Sequence, residues 1–170
     1  MKKSLLLLFP LFFLVLAVSC SISYKFNGAS IDYTKTKTIS VAEFPIRASL
    51  VYPPLGVTFN EELKDIFTRQ TRLNFVNSNG DLELEGEITT YNLTPQAVKE
   101  NAYASQTRLT IAVKVRYVNK ADPTQDFDRS FSAYRDFDAS MMLSDVQDGL
   151  IEEITKELAE SIFNATVANW

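Results

Sequence analysis

The sequence predicts an α+β fold, a two-layer sandwich in which two helices pack on one face of a four-stranded mixed sheet. Three observations predict it. Several runs alternate apolar and polar residues at period two, the mark of a strand with one buried and one wet face. Two other runs repeat apolar residues at helical spacing. These runs follow one another in the order β-α-β-β-β-α, which gives two helices to cover one sheet face and leaves the other to solvent. At 170 residues and 46% apolar composition, the chain suits a single domain whose core needs no metal or disulfide.

The first 19 residues stand apart from that domain. Lys2 and Lys3 lead into an apolar stretch, Leu5 to Val18, broken only by Pro10, and small residues then precede Cys20. A basic head, an apolar stretch and a small-residue cleavage region make a secretory signal peptide. The stretch falls short of the roughly 20 residues that cross a bilayer comfortably. Ala17-Val18-Ser19-Cys20 resembles a lipobox, with Ala where Leu is usual. The expectation is that residues 1–19 are removed and that Cys20, the only Cys, is lipidated. Three acyl chains would then hold the protein, where two hydrophobic signals already suffice. An ordinary signal peptide with a Cys near its cut is the plainer alternative. Ser21 follows Cys20, not the Asp of an inner-membrane retention signal, so the expected address is the outer membrane, lipid-anchored on its periplasmic side. Losing Lys2 and Lys3 moves the net charge from −4 to −6. Nothing in that acidic balance suggests a nucleic-acid binder, which would need a basic face.

Residues 20–35 show no sustained periodicity and read as a lipidated tether, so the domain spans 36–170. Ile39 and Val41 share a face, and Thr36 and Thr38 are β-branched, giving a first strand over 36–44. Pro45 ends it, and Pro53-Pro54 closes an irregular loop. Thr58 and Glu61 fit a capping box, with Phe59, Leu63, Ile66 and Phe67 behind it, so a helix is expected from 58 to 71. Leu82, Leu84, Gly86 and Ile88 alternate with Glu83, Glu85 and Glu87 in a second strand. Residues 92–105 read as a polar, proline-containing loop. In the clearest strand, 106–118, Leu109, Ile111, Val113, Val115 and Tyr117 form one face. A hairpin loop, Asn119 to Gln125, leads to a fourth strand in which Phe127, Arg129, Phe131 and Ala133 alternate with polar residues. The last helix starts near Ser144, where Ser144 and Gln147 suggest another capping box. It runs about 24 residues with Val146, Leu150, Ile151, Ile154, Leu158, Ile162 and Phe163 as its stripe.

The chemistry is as telling for what it lacks. There is no His, and the one Cys is spent on the anchor. Nucleophilic sites of the Ser-His-Asp or Cys-His kind are therefore excluded, as are His- or Cys-based zinc sites. No glycine pattern matches a phosphate-binding loop, so no cofactor or metal is expected. Carboxylates are plentiful, but Glu83, Glu85 and Glu87 lie at strand spacing on a solvated face. A carboxylate hydrolase would need a deep acidic cleft. The reading is of a non-enzyme.

Four segments carry a resemblance to a known family: Cys20-Ser21-Ile22-Ser23-Tyr24-Lys25-Phe26-Asn27-Gly28-Ala29-Ser30-Ile31 followed by Thr38-Ile39-Ser40-Val41-Ala42-Glu43-Phe44-Pro45, then Phe59 to Phe67, and then Gly80 to Thr89. Together they resemble the Bacteroidetes branch of the lipopolysaccharide-assembly lipoproteins (LptE type), over nearly the whole mature chain. The resemblance implies two helices on a four-stranded sheet and a non-enzymatic role. Such proteins occupy the lumen of an outer-membrane β-barrel translocon (LptD type), help it assemble and help deliver lipopolysaccharide. Partners implied are that barrel, lipopolysaccharide and, through the acyl chains on Cys20, outer-membrane lipids.

A plug in a polar lumen needs a polar outer surface. On the wet face of the third strand, Arg108, Lys114 and Arg116 are candidate contacts for lipid A phosphates or barrel carboxylates, because Arg binds phosphate bidentately and Lys acts as a point charge. They are also what an ordinary outward strand face looks like. Lys64, Arg69 and Arg72 form a second basic set, and Arg69 and Arg72 equally suit the negative end of a helix. The competing class is a generic periplasmic scaffold or a pilotin-like chaperone for another outer-membrane channel. It would share the anchor and the fold, and co-purification with a lipopolysaccharide-type barrel separates the two.

Overall fold

The computed structural model describes residues 31–96 and 106–167. Five strands and two helices make the α+β sandwich: β1 Thr38–Val41, α1 Pro53–Gln70, β2 Asn74–Phe75, β3 Leu82–Gln96, β4 Gln106–Asn119, β5 Phe127–Asp138 and α2 Leu143–Thr166. The sheet order is β2-β1-β3-β4-β5. β1 runs parallel to both its neighbours, and β3, β4 and β5 form an antiparallel meander. The sheet is therefore mixed, as expected, with five strands in place of four. The extra strand is β2. Its two residues are too few to show alternation, and it forms because the chain leaving α1 meets the free edge of β1.

Burial follows the alternation. Leu82, Leu84 and Ile88 on β3, and Leu109, Ile111, Val113, Val115 and Tyr117 on β4, are each at most 1% exposed. Above them lie Leu55, Phe59, Leu63, Ile66 and Phe67 of α1 and Ile151, Ile154, Leu158, Ile162 and Phe163 of α2. Leu150 is only partly buried. The helices run side by side in the same direction. Tyr52, just before α1, donates to Asp148 early in α2, and Phe67 meets Phe163 edge-on near both C-terminal ends. Ile31 and Tyr33, placed in the tether by pattern, pack against the core.

Both capping boxes are corrected. α1 begins at Pro53, so Thr58 lies inside it, and Tyr52 is the N-cap with no side-chain cap bond. Pro53-Pro54 opens the helix instead of closing a loop, because proline's fixed φ suits the first turn, where N–H groups lack intrahelical partners. In α2 the N-cap is Met142, again without a side-chain bond. The Ser144 hydroxyl lies on Asp145 Oδ1, and Gln147 donates to the Tyr91 hydroxyl. The loop expected from residue 92 starts later. β3 continues to Gln96 and stays paired with β4 after a one-residue register shift between Ile88 and Thr90, which turns Tyr91 and Leu93 to the core. Likewise β5 runs on to Asp138.

Two small-residue positions fix the centre of the sheet. A Cβ on Gly86 would strike the Lys114 carbonyl and the Phe44 ring. The missing side chain lets that ring, which is 1% exposed, lie against β3. A Cβ on Gly80 would meet the Ser40 nitrogen at 2.5 Å. Beside it, Asp81 Oδ2 accepts from the Lys37 and Thr38 backbone N–H groups and the Thr38 hydroxyl at 2.8, 2.9 and 2.9 Å. These bonds, the one from Lys37 foremost, hold its carboxyl below the ordinary value. On the far side of Phe44, Asn60 of α1 accepts from the Phe44 N–H at 2.9 Å and donates to the Gly56 and Phe44 carbonyls.

Candidate binding surface

Among the described residues no helix or strand covers the sheet face away from the helices, and β4 crosses it between β3 and β5. Because Leu109 to Tyr117 point inward at every second residue, Arg108, Lys114 and Arg116 share the outward face, as the alternation predicts. Each has a carboxylate partner from a neighbouring strand. Arg116 Nη1 lies 2.7 Å from Glu85 Oε1 on β3. Lys114 Nζ lies 3.4 Å from Asp128 Oδ2 on β5. Arg108 makes a fork to Asp136, Nε to Oδ1 and Nη2 to Oδ2, both at 2.8 Å, and its guanidinium sits 3.6 Å from the centre of the Tyr134 ring. Hydrogen bonding from Arg108 holds the Asp136 carboxyl below the ordinary range. Lys120 extends the series, 2.7 Å from Glu83 Oε1. The expected basic patch is thus one half of a ladder of cross-strand ion pairs, and Glu83 and Glu85 of β3 with Asp128 and Asp136 of β5 are the other half.

The pairs differ in how firmly they are held. Arg116 and Glu85 are 62% and 55% exposed, so water competes for both and each is free to exchange partners. The Arg108 fork is more enclosed and is stacked as well, which makes it the most rigid point on the face. The second basic set is dispersed. Arg69 pairs with Asp65 and Glu62 on its own helix, Arg72 lies 6.0 Å from the Tyr33 ring centre, and Lys64 lines a shallow surface hollow beside Glu61 and Asp65.

Two features escaped the sequence reading. At the end of the molecule where both helices begin, Leu50, Val51, Met141 and Met142 are exposed, Met142 at 72%. They flank a polar knot in which Tyr52 stacks on Tyr91 and bonds to Asp148. Leu50-Val51 and Met141-Met142 were readable as apolar pairs outside any periodic run. At the opposite end a cavity of 390 Å³ is lined by residues including Asp32, Lys35, Tyr117, Asn119 and Asp122. Burial pushes the Tyr117 hydroxyl up, and the Thr124 hydroxyl holds Asp122 down. The Lys35 ammonium in its lining is paired with Asp32 at 3.7 Å, and the remaining polar lining groups are hydroxyls, amides and a carboxylate. Among the described residues, no cluster of three His, Cys, Asp or Glu could hold a metal, and no helix is long and apolar enough to cross a membrane. Cys20 lies outside the described residues.

Solved structures with the same arrangement come from distant sequences. A minor lipoprotein of Acinetobacter baumannii superposes with a TM-score of 0.52 at 16% identity, over 76% of this chain and 91% of its own. A hypothetical protein of Chlamydia trachomatis gives 0.52 at 10% identity, over 79% and 99%. A Xanthomonas campestris protein gives 0.50 at 10% identity, over 75% and 82%. At such identities the likeness is one of fold. No curated protein matches the chain. The family comparison is decisive, because the lipopolysaccharide-assembly family, LptE, matches residues 36–166, from two residues before β1 to the last residue of α2. The chain belongs to the LptE lipopolysaccharide-assembly family.

Proposed function

We propose that the protein is a lipid-anchored, non-enzymatic plug and assembly partner for a β-barrel lipopolysaccharide translocon of the outer membrane. The observation that carries this reading is the family match over the whole folded domain. The open sheet face supports it. A barrel lumen is lined by polar and charged side chains, and a face of ion pairs with exposed partners can trade those partners for lumen charges at little cost. The anchor at Cys20 belongs to the same proposal. Ten residues separate Cys20 from Ile31, at most about 40 Å of chain, enough for the domain to stand away from the leaflet that holds its acyl chains.

Lipopolysaccharide binding by Arg108, Lys114 and Arg116 takes a specific form in this geometry. A lipid A phosphate must displace a carboxylate. Lys114 and Arg116 can release Asp128 and Glu85 into solvent, while Arg108 stays locked to Asp136 and orients the face. The test of the function is depletion of the protein with purification of its complex from detergent-solubilised outer membranes. The expected result is a co-purifying barrel, with less assembled barrel and less surface lipopolysaccharide on depletion. Unchanged barrel assembly and unchanged surface lipopolysaccharide would replace this reading with the generic scaffold. Replacing Arg108, Lys114 and Arg116 together by Glu tests the face separately, by lipopolysaccharide binding at low and high salt. Wild-type binding at low salt would remove the three from the site and leave the plug role standing.

A further inference from the structure

β5 is the long edge of the sheet, twelve residues against two in β2 at the other margin. The hydrogen bonding fixes which of its backbone groups are free. In β3 the Leu84 carbonyl accepts from the Ala42 N–H, while Ile88 donates to Pro45 and accepts from Arg47. Leu84 and Ile88 therefore face the β1 side, and Glu85 and Glu87 turn toward β4, where they oppose Arg116 and Lys114. Those two point away from β5, so their β5 partners Asp128 and Ser130 point away from β4, as antiparallel alternation requires. The register runs unbroken to Gln106 opposite Asp138, so Ser132, Tyr134 and Asp136 follow suit. Among the described residues no strand covers this row. The Arg135 guanidinium folds back on the Tyr134 carbonyl.

A second observation concerns the helix-side flank of the same edge. Phe127 and Phe131 are partly buried there, and the Arg129 guanidinium lies over both rings, 4.3 and 5.0 Å from their centres. Arg135, further along the same face, is neutralised by Glu153 and Glu157 of α2. Arg129 is in none of the ion pairs formed among the described residues. The edge thus combines a row of outward donors and acceptors, free among the described residues save for the Tyr134 and Asp138 carbonyls, with an exposed cation held over two aromatic rings. Long bare edges are usually blunted by proline, bulges or a covering element; β5 has no proline, and its pairing with β4 shows no bulge.

We infer that the β5 edge takes up one extended segment of a partner polypeptide, which adds a sixth strand and sets a carboxylate against Arg129. A second copy of this chain does not fit. The free backbone groups belong to even-numbered residues, so two-fold pairing of β5 on β5 sets even residues against even and odd against odd. The odd positions are Phe127, Arg129, Phe131, Ala133, Arg135 and Phe137, and none is acidic. Every such register leaves Arg129 without a carboxylate, and the one centred on Ser132 sets it against Arg135. Strand addition draws affinity from main-chain bonds and specificity from alternate side chains. The occupant therefore alternates, with an acidic residue opposite Arg129 and small or apolar residues opposite Phe131 and Ala133. The inference goes beyond the plug reading and does not depend on which protein supplies the strand.

Proline at Ser132 is the discriminating substitution, because it removes an N–H that points outward and takes no bond from β4. The lipoprotein is expressed in its own envelope with benzoylphenylalanine at Ser130 or Ser132, irradiated, and the adducts are mapped by mass spectrometry. The expected adducts fall on one segment of one partner protein, two residues apart for the two probe positions. Ser132→Pro with the probe at Ser130 should cut the yield tenfold or more. Arg129→Glu should do the same with the probe at either position, and Arg129→Lys should restore part of it. Adducts confined to a second copy of this chain, adducts scattered over unrelated segments, or yields unchanged in both Ser132→Pro and Arg129→Glu would overturn the inference. If the proline variant fails to fold, the Arg129 pair decides alone. A strand from a protein unconnected with lipopolysaccharide would uphold the edge assignment and count against the plug. A barrel that co-purifies undiminished with both variants would do the reverse.

Discussion

The two faces of the sheet are written in the same strands and obey different physics. Toward the helices, β3 and β4 present aliphatic and aromatic side chains that are almost wholly buried, and even the backbone is fitted, as where the Phe44 ring lies on Gly86. Toward solvent, the same strands present Glu83, Glu85, Arg108, Lys114 and Arg116, joined by ion pairs that water can open. One face holds the fold and tolerates little change. The other holds its charges in reserve, and its partners can be exchanged without disturbing what lies beneath. For a protein proposed to work by fitting against another, this separates stability from recognition in one element.

The sharpest way to break that comparison is to empty the covered face. Leu158→Ala removes a side chain that is 1% exposed and should cost about 2–5 kcal/mol in urea unfolding. A loss below about 0.5 kcal/mol, the range of ordinary surface changes, would mean the helix layer is not seated as described. Gly86→Ala probes the same face from the backbone. The added methyl meets a carbonyl and a fully packed ring, and overpacking of this kind costs about 1–3 kcal/mol; an unchanged midpoint would show that the Lys114 carbonyl and the Phe44 ring can both move aside.

Acid probes the seam between β1 and β3. Asp81 has a carboxyl held below its ordinary value of 3.8, chiefly by the Lys37 N–H, and Asp122 and Asp136 are also lowered. Groups depressed in the folded state contribute stability above their unfolded value and lose it as pH falls through the folded one. The urea midpoint should therefore be flat from pH 7 to about 5 and fall below about 4. Asp81→Asn should lower it at neutral pH and shallow the acid slope; an unaltered slope would remove Asp81 from the account. The smallest effect belongs to the open face. Arg116→Ala should cost less than about 1 kcal/mol, and a larger loss would show that the face is structural after all.

What could be read in the sequence tracks the same division. Burial imposes period two on a strand and 3.6 on a helix, so the inner residues of β3, β4 and α2 stood out before any coordinates. The outward cations were legible by the same alternation. Their partners were not, because pairing depends on register between strands, and a sequence does not print which Asp on β5 lies opposite Arg108. β2 was missed because two residues cannot show a period. The helix starts were missed for a related reason. Capping boxes are local patterns, and here tertiary contacts overrode both. Asn60, inside α1 beyond the supposed cap, is occupied in holding Phe44, and Gln147 reaches across to Tyr91.

The place of β1, between β2 and β3, has a consequence for the order in which the chain acquires its structure. β1 is four residues long, yet its partners in β2 and β3 lie more than 30 residues further on, with all of α1 between. β4 and β5 are joined by only seven residues. Loop closure over short separations is fast and over long ones slow, so the β3-β4-β5 meander should assemble first, with both of its margins bare. The arrival of β1 then closes one of them. During that interval the chain is most exposed to wrong strand partners, and the β1–β3 amides should be the first in the sheet to open in native-state hydrogen exchange.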